Sequence, residues 1–207
     1  MTRQAAARAL TALGASLFSR GYTHGSTGNL SIRLGATILT TPTGSNLGAL
    51  DPGGLSEITL DGEHAGGAPP TKEAFLHAAM YRARPDAEAV VHLHSTHAVA
   101  VSCLADVDPR DVLPPLTAYY AMRVGTLPLL PYHAPGDAAL EPLAEQAARG
   151  HHALLLANHG PVVAGPGLAA AADAMEELEA TARLFLLLRG QATRPLSPEQ
   201  AHALRRR

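Results

Sequence analysis

Hydrophobic and polar positions along the chain switch between two periods. Leu10, Leu13, Leu17 and Phe18 fall on one stripe, which predicts an amphipathic helix over 4–20 that stops at Gly21. Tyr22–Asn29 is dense in Gly, Ser, Thr and Asn and reads as a loop. Leu30, Ile32 and Leu34 then alternate with Ser31 and Arg33, the signature of a strand, with Ala36–Thr41 as its hairpin partner. Polar turns follow at 41–46 and 51–54, then a short strand at Glu57–Leu60 and a hairpin signal at Asp61-Gly62.

In the second half, Phe75, Leu76, Ala79, Met80 and Ala83 share one face of a helix over Lys72–Ala83. Thr71 is its expected N-cap, with Glu73 in the first turn. A short buried strand follows over 89–94, then a helix over His97–Leu104. Beyond a proline-rich loop come Thr117–Arg123, a strand at Leu127–Tyr132, a helix near 137–149 and a strand at 153–157. A turn at Asn158–Pro161 leads to a strand at 162–164 and a long helix from about Gly167 to Arg189. The remaining polar tail, from about 195, has room for one short helix. There is no internal repeat and no linker, so the pattern predicts a single α/β layered domain spanning 1–207, with a largely antiparallel or mixed sheet.

Composition narrows the function. The 207 residues carry a formal net charge of −2, which argues against nucleic acid as a partner. Arg205-Arg206-Arg207 is the one concentrated basic segment and reads as a solvated tail. The lone cysteine, Cys103, excludes an intrachain disulfide and reads as a buried structural thiol. No signal-peptide pattern precedes the first helix, and no apolar run reaches the ~18 residues that span a bilayer. The expectation is a soluble, cytoplasmic protein.

The candidate chemistry centres on His92-Leu93-His94, where alternation along a strand sends both imidazoles to one face. Such a pair is half of a metal site. His159, in Asn158-His159-Gly160 directly after the apolar run 153–157, is the best third ligand; His24, His77, His97 and His133 compete. With no thiolates, three histidines suit a catalytic metal better than a structural one. Glu73 reads either as a residue that suits a helix dipole or as an acid/base group beside the metal. Ser26-Thr27-Gly28-Asn29, Thr43-Gly44-Ser45 and the Thr71-Lys72 helix start offer hydroxyls, amides and backbone N–H groups, which together suggest an anion pocket.

The motifs S-T-G-N-L-S at 26–31, T-P-T-G at 41–44, T-K-E at 71–73, H-L-H at 92–94 and N-H-G at 158–160 resemble the class II aldolase/adducin-head family over roughly residues 5–190. H-G-S-T-G-N-L-S, A-P-P-T-K-E-A-F-L-H and L-L-A-N-H-G-P-V-V-A-G look most like members that decarboxylate 3-oxo-tetronate 4-phosphates. The resemblance implies a three-layer α/β/α sandwich and a ring-like homotetramer with sites between neighbours. It implies one zinc per subunit, with manganese or cobalt as alternatives. His92, His94 and His159 are the implied ligands, with Glu73 as acid/base and extra ligand. Ser26, Asn29, Thr43, Gly44, Thr71 and Lys72 are implied to hold the phosphate of a phosphorylated sugar acid. Tyr119 is implied as proton donor, with Tyr120 a close rival. Sugar-phosphate aldolases of the family tend to carry a small hydroxyl residue where this chain has Lys72, whose extra cation suits a substrate with both phosphate and carboxylate. A sugar-phosphate aldolase of the same fold and a non-enzymatic adducin-like head are the alternative readings.

Overall fold

The computed structural model describes residues 1–205. Of the basic triplet expected as a tail, Arg206 and Arg207 lie outside the described residues. The elements run α1 (Arg3–Ser19), β1 (Asn29–Leu34), β2 (Thr37–Thr40), β3 (Ser56–Thr59), β4 (His64–Gly67), α2 (Ala74–Ala83), β5 (Ala89–His92) and α3 (Thr96–Ser102). They continue with α4 (Ala118–Arg123), β6 (Leu129–Leu130), α5 (Leu140–Ala148), β7 (Ala153–Leu156), β8 (Gly160–Gly165), α6 (Leu168–Leu187) and α7 (Pro198–Arg205). The strands form one sheet in the order β4-β3-β2-β1-β5-β8-β7-β6. Every neighbouring pair is antiparallel except β6–β7.

β5, β7 and β8 carry apolar side chains on both faces, so the sheet is covered on both sides. Leu30, Ile32, Val91, Leu155 and Val163 pack against α1, α3, α4 and α6. Val90, Leu154, Leu156 and Val162 pack against α2 and α5. The three layers follow from this alternation: odd and even positions of one strand serve different cores.

β1 and β5 pair with Asn29 opposite His92 and Ser31 opposite Val90. Directly opposed residues share a face. Asn29, Ser31 and His92 are therefore presented together toward α2, on the side of Val90.

Several boundaries differ from the sequence expectation. Glu73 is the residue before α2 rather than inside it, and Thr71 Oγ1 accepts the Glu73 N–H at 3.3 Å. A threonine turn two residues ahead has taken the place of a conventional cap. β5 ends at His92, although the Leu93 N–H still reaches the Pro161 carbonyl at 3.2 Å. β4, whose His64–Gly67 sequence has no strand-like alternation, forms as the partner that the Asp61-Gly62 turn requires. Thr117–Arg123 becomes α4, capped by Thr117 Oγ1 accepting from Tyr120 N–H at 3.0 Å. Cys103 is exposed rather than buried, because α3 ends at Ser102 and leaves Cys103 at its C-cap. α7 forms within the polar tail; the preceding Leu196 N–H donates to the Pro115 carbonyl at 2.9 Å, and Ala201 is buried. No helix among the described residues is long and apolar enough to cross a membrane.

Candidate functional site

Three segments far apart in sequence converge where β1, β5 and β8 meet the start of α2. His92 comes from the end of β5 and His94 from two residues beyond. His159 comes from the corner between β7 and β8, and Glu73 from the head of α2. One ligand atom from each of the four lies within 4.8 Å of the others. His94 Nε2 is 3.2 Å from His92 Nε2 and 3.0 Å from His159 Nε2. The Glu73 carboxylate reaches His92 Nε2 at 3.3 Å and His159 Nε2 at 3.1 Å.

These separations fit one shared cation. Donors at about 2.0–2.1 Å from a tetrahedral ion sit about 3.3 Å from one another. A single proton on His94 Nε2 cannot serve two imidazole nitrogens at once, whereas a cation satisfies all the lone pairs. The tautomers agree: His92 Nδ1 lies 2.8 Å from the Pro161 carbonyl, which only accepts, so Nδ1 carries the proton and Nε2 faces the cluster. His92 is fully buried, and His159 and Glu73 nearly so. A set of imidazoles and one carboxylate without thiolate is a donor set suited to zinc or a similar divalent ion.

The ionisation of the cluster follows from its packing. Burial alone would raise Glu73, but the positive charge of His92 and the hydrogen bonds from His159 and His92 outweigh it and hold the carboxyl well below its usual range. Burial, helped by the His92 and His159 charges, pushes His94 down to about 3. Burial would lower His92 too, but the Glu73 charge overrides it and raises it. Glu73 is therefore an anion and His94 a neutral donor, the forms that bind metal.

Two backbone details allow the convergence. At the Asn-His-Gly corner, Asn158 has φ +56°, a conformation asparagine tolerates. A Cβ on Gly160 would meet the Leu93 carbonyl oxygen at 2.3 Å, so only glycine lets the corner close on the strand bearing His92 and His94.

The six residues expected to hold phosphate line a single cleft of about 270 Å³: Ser26, Asn29, Thr43, Gly44, Thr71 and Lys72. Glu73, His94 and His159 line the same cleft, so it opens directly onto the cluster. Its loops are stitched together by backbone pairing. Thr43 N–H donates to the Pro69 carbonyl at 3.1 Å, and Pro42 and Pro70 form an antiparallel bridge. Gly44 has φ +68° with open space around it, leaving its backbone exposed to a ligand.

A second cleft of about 500 Å³ meets the first at His94, Pro135 and His159, and is lined by His24, Tyr132 and His133. His24 and His133, competitors for the metal in the sequence, thus face this space and not the cluster. His133 Nδ1 is tied instead to Asp137 at 2.9 Å. His97 is bound by Glu179 at 2.7 Å, and the same carboxylate accepts the His97 and Ala98 N–H groups at 2.9 and 2.8 Å. Glu179 so anchors the first turn of α3, the segment that follows His94; a glutamate in a helix of regular polar spacing gives no sign of this in the sequence.

His77 is wholly buried beneath Asn29, and burial, with the His92 charge, pushes it down to about 3. Of the two tyrosines, Tyr120 is wholly buried in the core beside α6, whereas Tyr119 is 60% exposed and lines neither cleft of its own subunit. Tyr119 stacks under the Arg123 guanidinium at 5.8 Å.

The model of the class II aldolase and adducin N-terminal domain matches residues 8–186. The chain belongs to this family. A 3-oxo-tetronate 4-phosphate decarboxylase from Pectobacterium atrosepticum is 50% identical over 200 residues, covering 96% of this chain and 91% of its own. An L-fuculose phosphate aldolase from Methanocaldococcus jannaschii is 36% identical over 172 residues, covering 83% of this chain and 90% of its own. The crystal structure of YgbL from Klebsiella pneumoniae superposes with a TM-score of 0.96 at 45% identity, covering 99% of this chain and 100% of that one. Among class II aldolase relatives, then, this chain is similar to enzymes named for two different ways of breaking a carbon–carbon bond.

Proposed function

We propose that this chain is a zinc-dependent carboxy-lyase of sugar-acid catabolism. It converts a 3-oxo-tetronate 4-phosphate to dihydroxyacetone phosphate and CO₂. The observation that carries the reading is the direct opening of the six-residue polar cleft onto the Glu73–His92–His94–His159 cluster. A substrate with phosphate at one end and a reacting carbon a few bonds away needs that adjacency. The 50% identity with the Pectobacterium decarboxylase supports the same choice.

A divalent ion held by His92, His94, His159 and Glu73 supplies Lewis-acid stabilisation for charge developing on a ketone oxygen. The chain's own residues do the rest. Ser26, Thr43, Gly44 and Thr71 bind the phosphate through hydroxyl and backbone N–H donors, and Asn29 shares the wall of the cleft while its amide is committed to Glu73 and Thr71. Lys72, exposed at the same cleft, faces the C1 carboxylate. The C1–C2 bond breaks, its electron pair moves toward the C3 carbonyl, and CO₂ leaves. C2 then takes a proton, so no base is needed to start and an acid is needed to finish. Glu73, within the cluster, and Tyr119 are the groups for that delivery. Tyr119 lies away from its own clefts, so in the proposed cytoplasmic homotetramer it serves a neighbouring subunit.

Aldol cleavage of a sugar phosphate is the second reading, favoured by the 36% identity with the Methanocaldococcus aldolase. The deciding experiment measures CO₂ release from the phosphorylated 3-oxo acid, with and without chelator, beside cleavage of a ketose 1-phosphate. Chelator-sensitive CO₂ release is expected. Turnover of the ketose phosphate alone would replace decarboxylation with the aldol reaction.

A further inference from the structure

Beneath the cluster, a buried polar chain alternates between α2 and β1. Glu73, His77 and Tyr81 succeed one another at intervals of four on the helix side, and Asn29 and Ser31 at an interval of two on the strand side. Four helical residues rise about 6 Å and two strand residues about 6.6 Å, so the two rows interlock. Asn29 Nδ2 donates to Glu73 Oε2 at 2.8 Å. Asn29 Oδ1 meets His77 Nε2 in a short hydrogen bond. His77 Nδ1 lies 2.7 Å from Ser31 Oγ, and Ser31 Oγ lies 2.9 Å from the Tyr81 hydroxyl. His77, Ser31 and Tyr81 are 0%, 0% and 1% exposed, so water does not stand in for a missing partner.

The direction of every proton in this chain follows from its Glu73 end. The Glu73 carboxylate only accepts, so the Asn29 NH₂ faces it and the Asn29 carbonyl faces His77. His77 must then donate from Nε2, which leaves Nδ1 to accept from Ser31, which in turn accepts from Tyr81. All the donors point toward Glu73. Turning the Asn29 amide over would set its carbonyl against the carboxylate and leave buried donors unmatched.

We infer that His77, Ser31 and Tyr81 are positioning residues that act through Asn29, locking its amide so that the Glu73 carboxylate is held toward the three histidines. The inference rests on the proposed role of Glu73 in the metal site. None of the three touches substrate; they set the orientation of a group that does. A relay of aligned donors also polarises each bond in turn, which favours the anionic carboxylate.

The test compares His77→Leu, His77→Gln, Ser31→Ala and Tyr81→Phe with Glu73→Gln. Each is measured for zinc affinity by competition with a chromogenic chelator, and for kcat and KM on the phosphorylated 3-oxo acid. His77→Leu is expected to weaken zinc binding and lower kcat by about 10–100-fold with KM changed little, the range for partners of metal ligands. His77→Gln, which returns an N–H donor to Asn29 Oδ1, should recover most of both losses. Equal losses in the two variants would reduce His77 to packing and overturn the inference. Should His77→Leu fail to fold, Ser31→Ala decides, since it removes one oxygen and no volume to speak of. Wild-type zinc affinity and kcat in Ser31→Ala would likewise overturn it. If Glu73→Gln itself binds zinc and turns over normally, the proposed role of Glu73 fails instead, and the two failures are told apart.

Discussion

The His92 Nδ1 proton is donated to the carbonyl of Pro161 at 2.8 Å, two residues past His159. One hydrogen bond thus sets the tautomer of His92 and ties its strand to the corner that carries His159. The proposed metal site and the β5–β8 pairing thus share one hydrogen bond. Their disruption should be felt together.

His92→Ala removes a ligand and this tie at once. Zinc should raise the melting temperature of the wild-type enzyme, as any ligand bound only by the folded state does. It should leave the melting temperature of His92→Ala unchanged, and turnover should vanish. A zinc-dependent rise in the variant equal to that of the wild type would remove His92 from the site.

Gly160→Ala forces a Cβ to within 2.3 Å of the Leu93 carbonyl. Relief requires the corner and β5 to separate, at a cost of about 1–3 kcal/mol by the usual scale of overpacking. Urea denaturation should show that loss, and zinc affinity should fall with it because His159 moves with Gly160. An unchanged zinc affinity would show that His159 does not depend on the closed corner.

Lys72→Ser tests what distinguishes the substrate. Loss of a hydrogen bond to a charged group, worth about 1.5–3 kcal/mol, corresponds to about 10–100-fold in kcat/KM on the 3-oxo acid phosphate. Activity on a ketose 1-phosphate, if present, should change far less. Equal losses on both would assign Lys72 to the phosphate alone.

His77 gives the metal-free protein a pH dependence. Its folded value of about 3 lies below the ordinary 6.5, because burial disfavours its charged form. Between those values the unfolded chain binds one proton more than the folded chain. Stability from this group is therefore full above about pH 6.5 and is lost as pH falls toward 3, at about 1.4 kcal/mol per unit. His94, also depressed to about 3, acts in the same sense, and His92, which is raised, opposes it. Urea denaturation at pH 7 and pH 5 should show a steeper loss for wild type than for His77→Gln. Parallel pH profiles would mean that His77 binds protons alike in the folded and unfolded chains.

Tyr119→Phe should lower kcat while leaving zinc affinity intact. Mixing it with Glu73→Gln under conditions that exchange subunits should restore part of the activity, since in the proposed tetramer some sites would then hold both groups. No recovery on mixing, with exchange confirmed by mass spectrometry, would place Tyr119 in its own subunit's chemistry or outside it altogether.

Much of the fold was legible because both its periods are strong. The alternation at 30–34 reads as a strand with one apolar face and the apolar runs at 89–91 and 153–157 as buried strands, and the 3.6-residue stripes of α1, α2 and α6 supply the covering. The pairing of His92 with His94 follows from strand geometry alone. By contrast, β4 has no apolar alternation and exists because a hairpin turn and a neighbouring edge demand it. The exposure of Cys103 turned on one helix residue, a resolution that apolar spacing does not provide.

The sequence alone determined which residue types were available for the chemistry: paired strand histidines, a glycine-closed corner, hydroxyl- and glycine-rich loops and an acidic helix start. It did so because local spacing dictates local geometry. Only the tertiary structure decided which histidines meet. His24, His77, His97 and His133 have the same side chain as the three that converge. What separates them is strand register, with Asn29 set opposite His92 and β8 folded back along β5. Register is fixed by contacts between residues 57 to 76 positions apart, and no spacing along the chain records those.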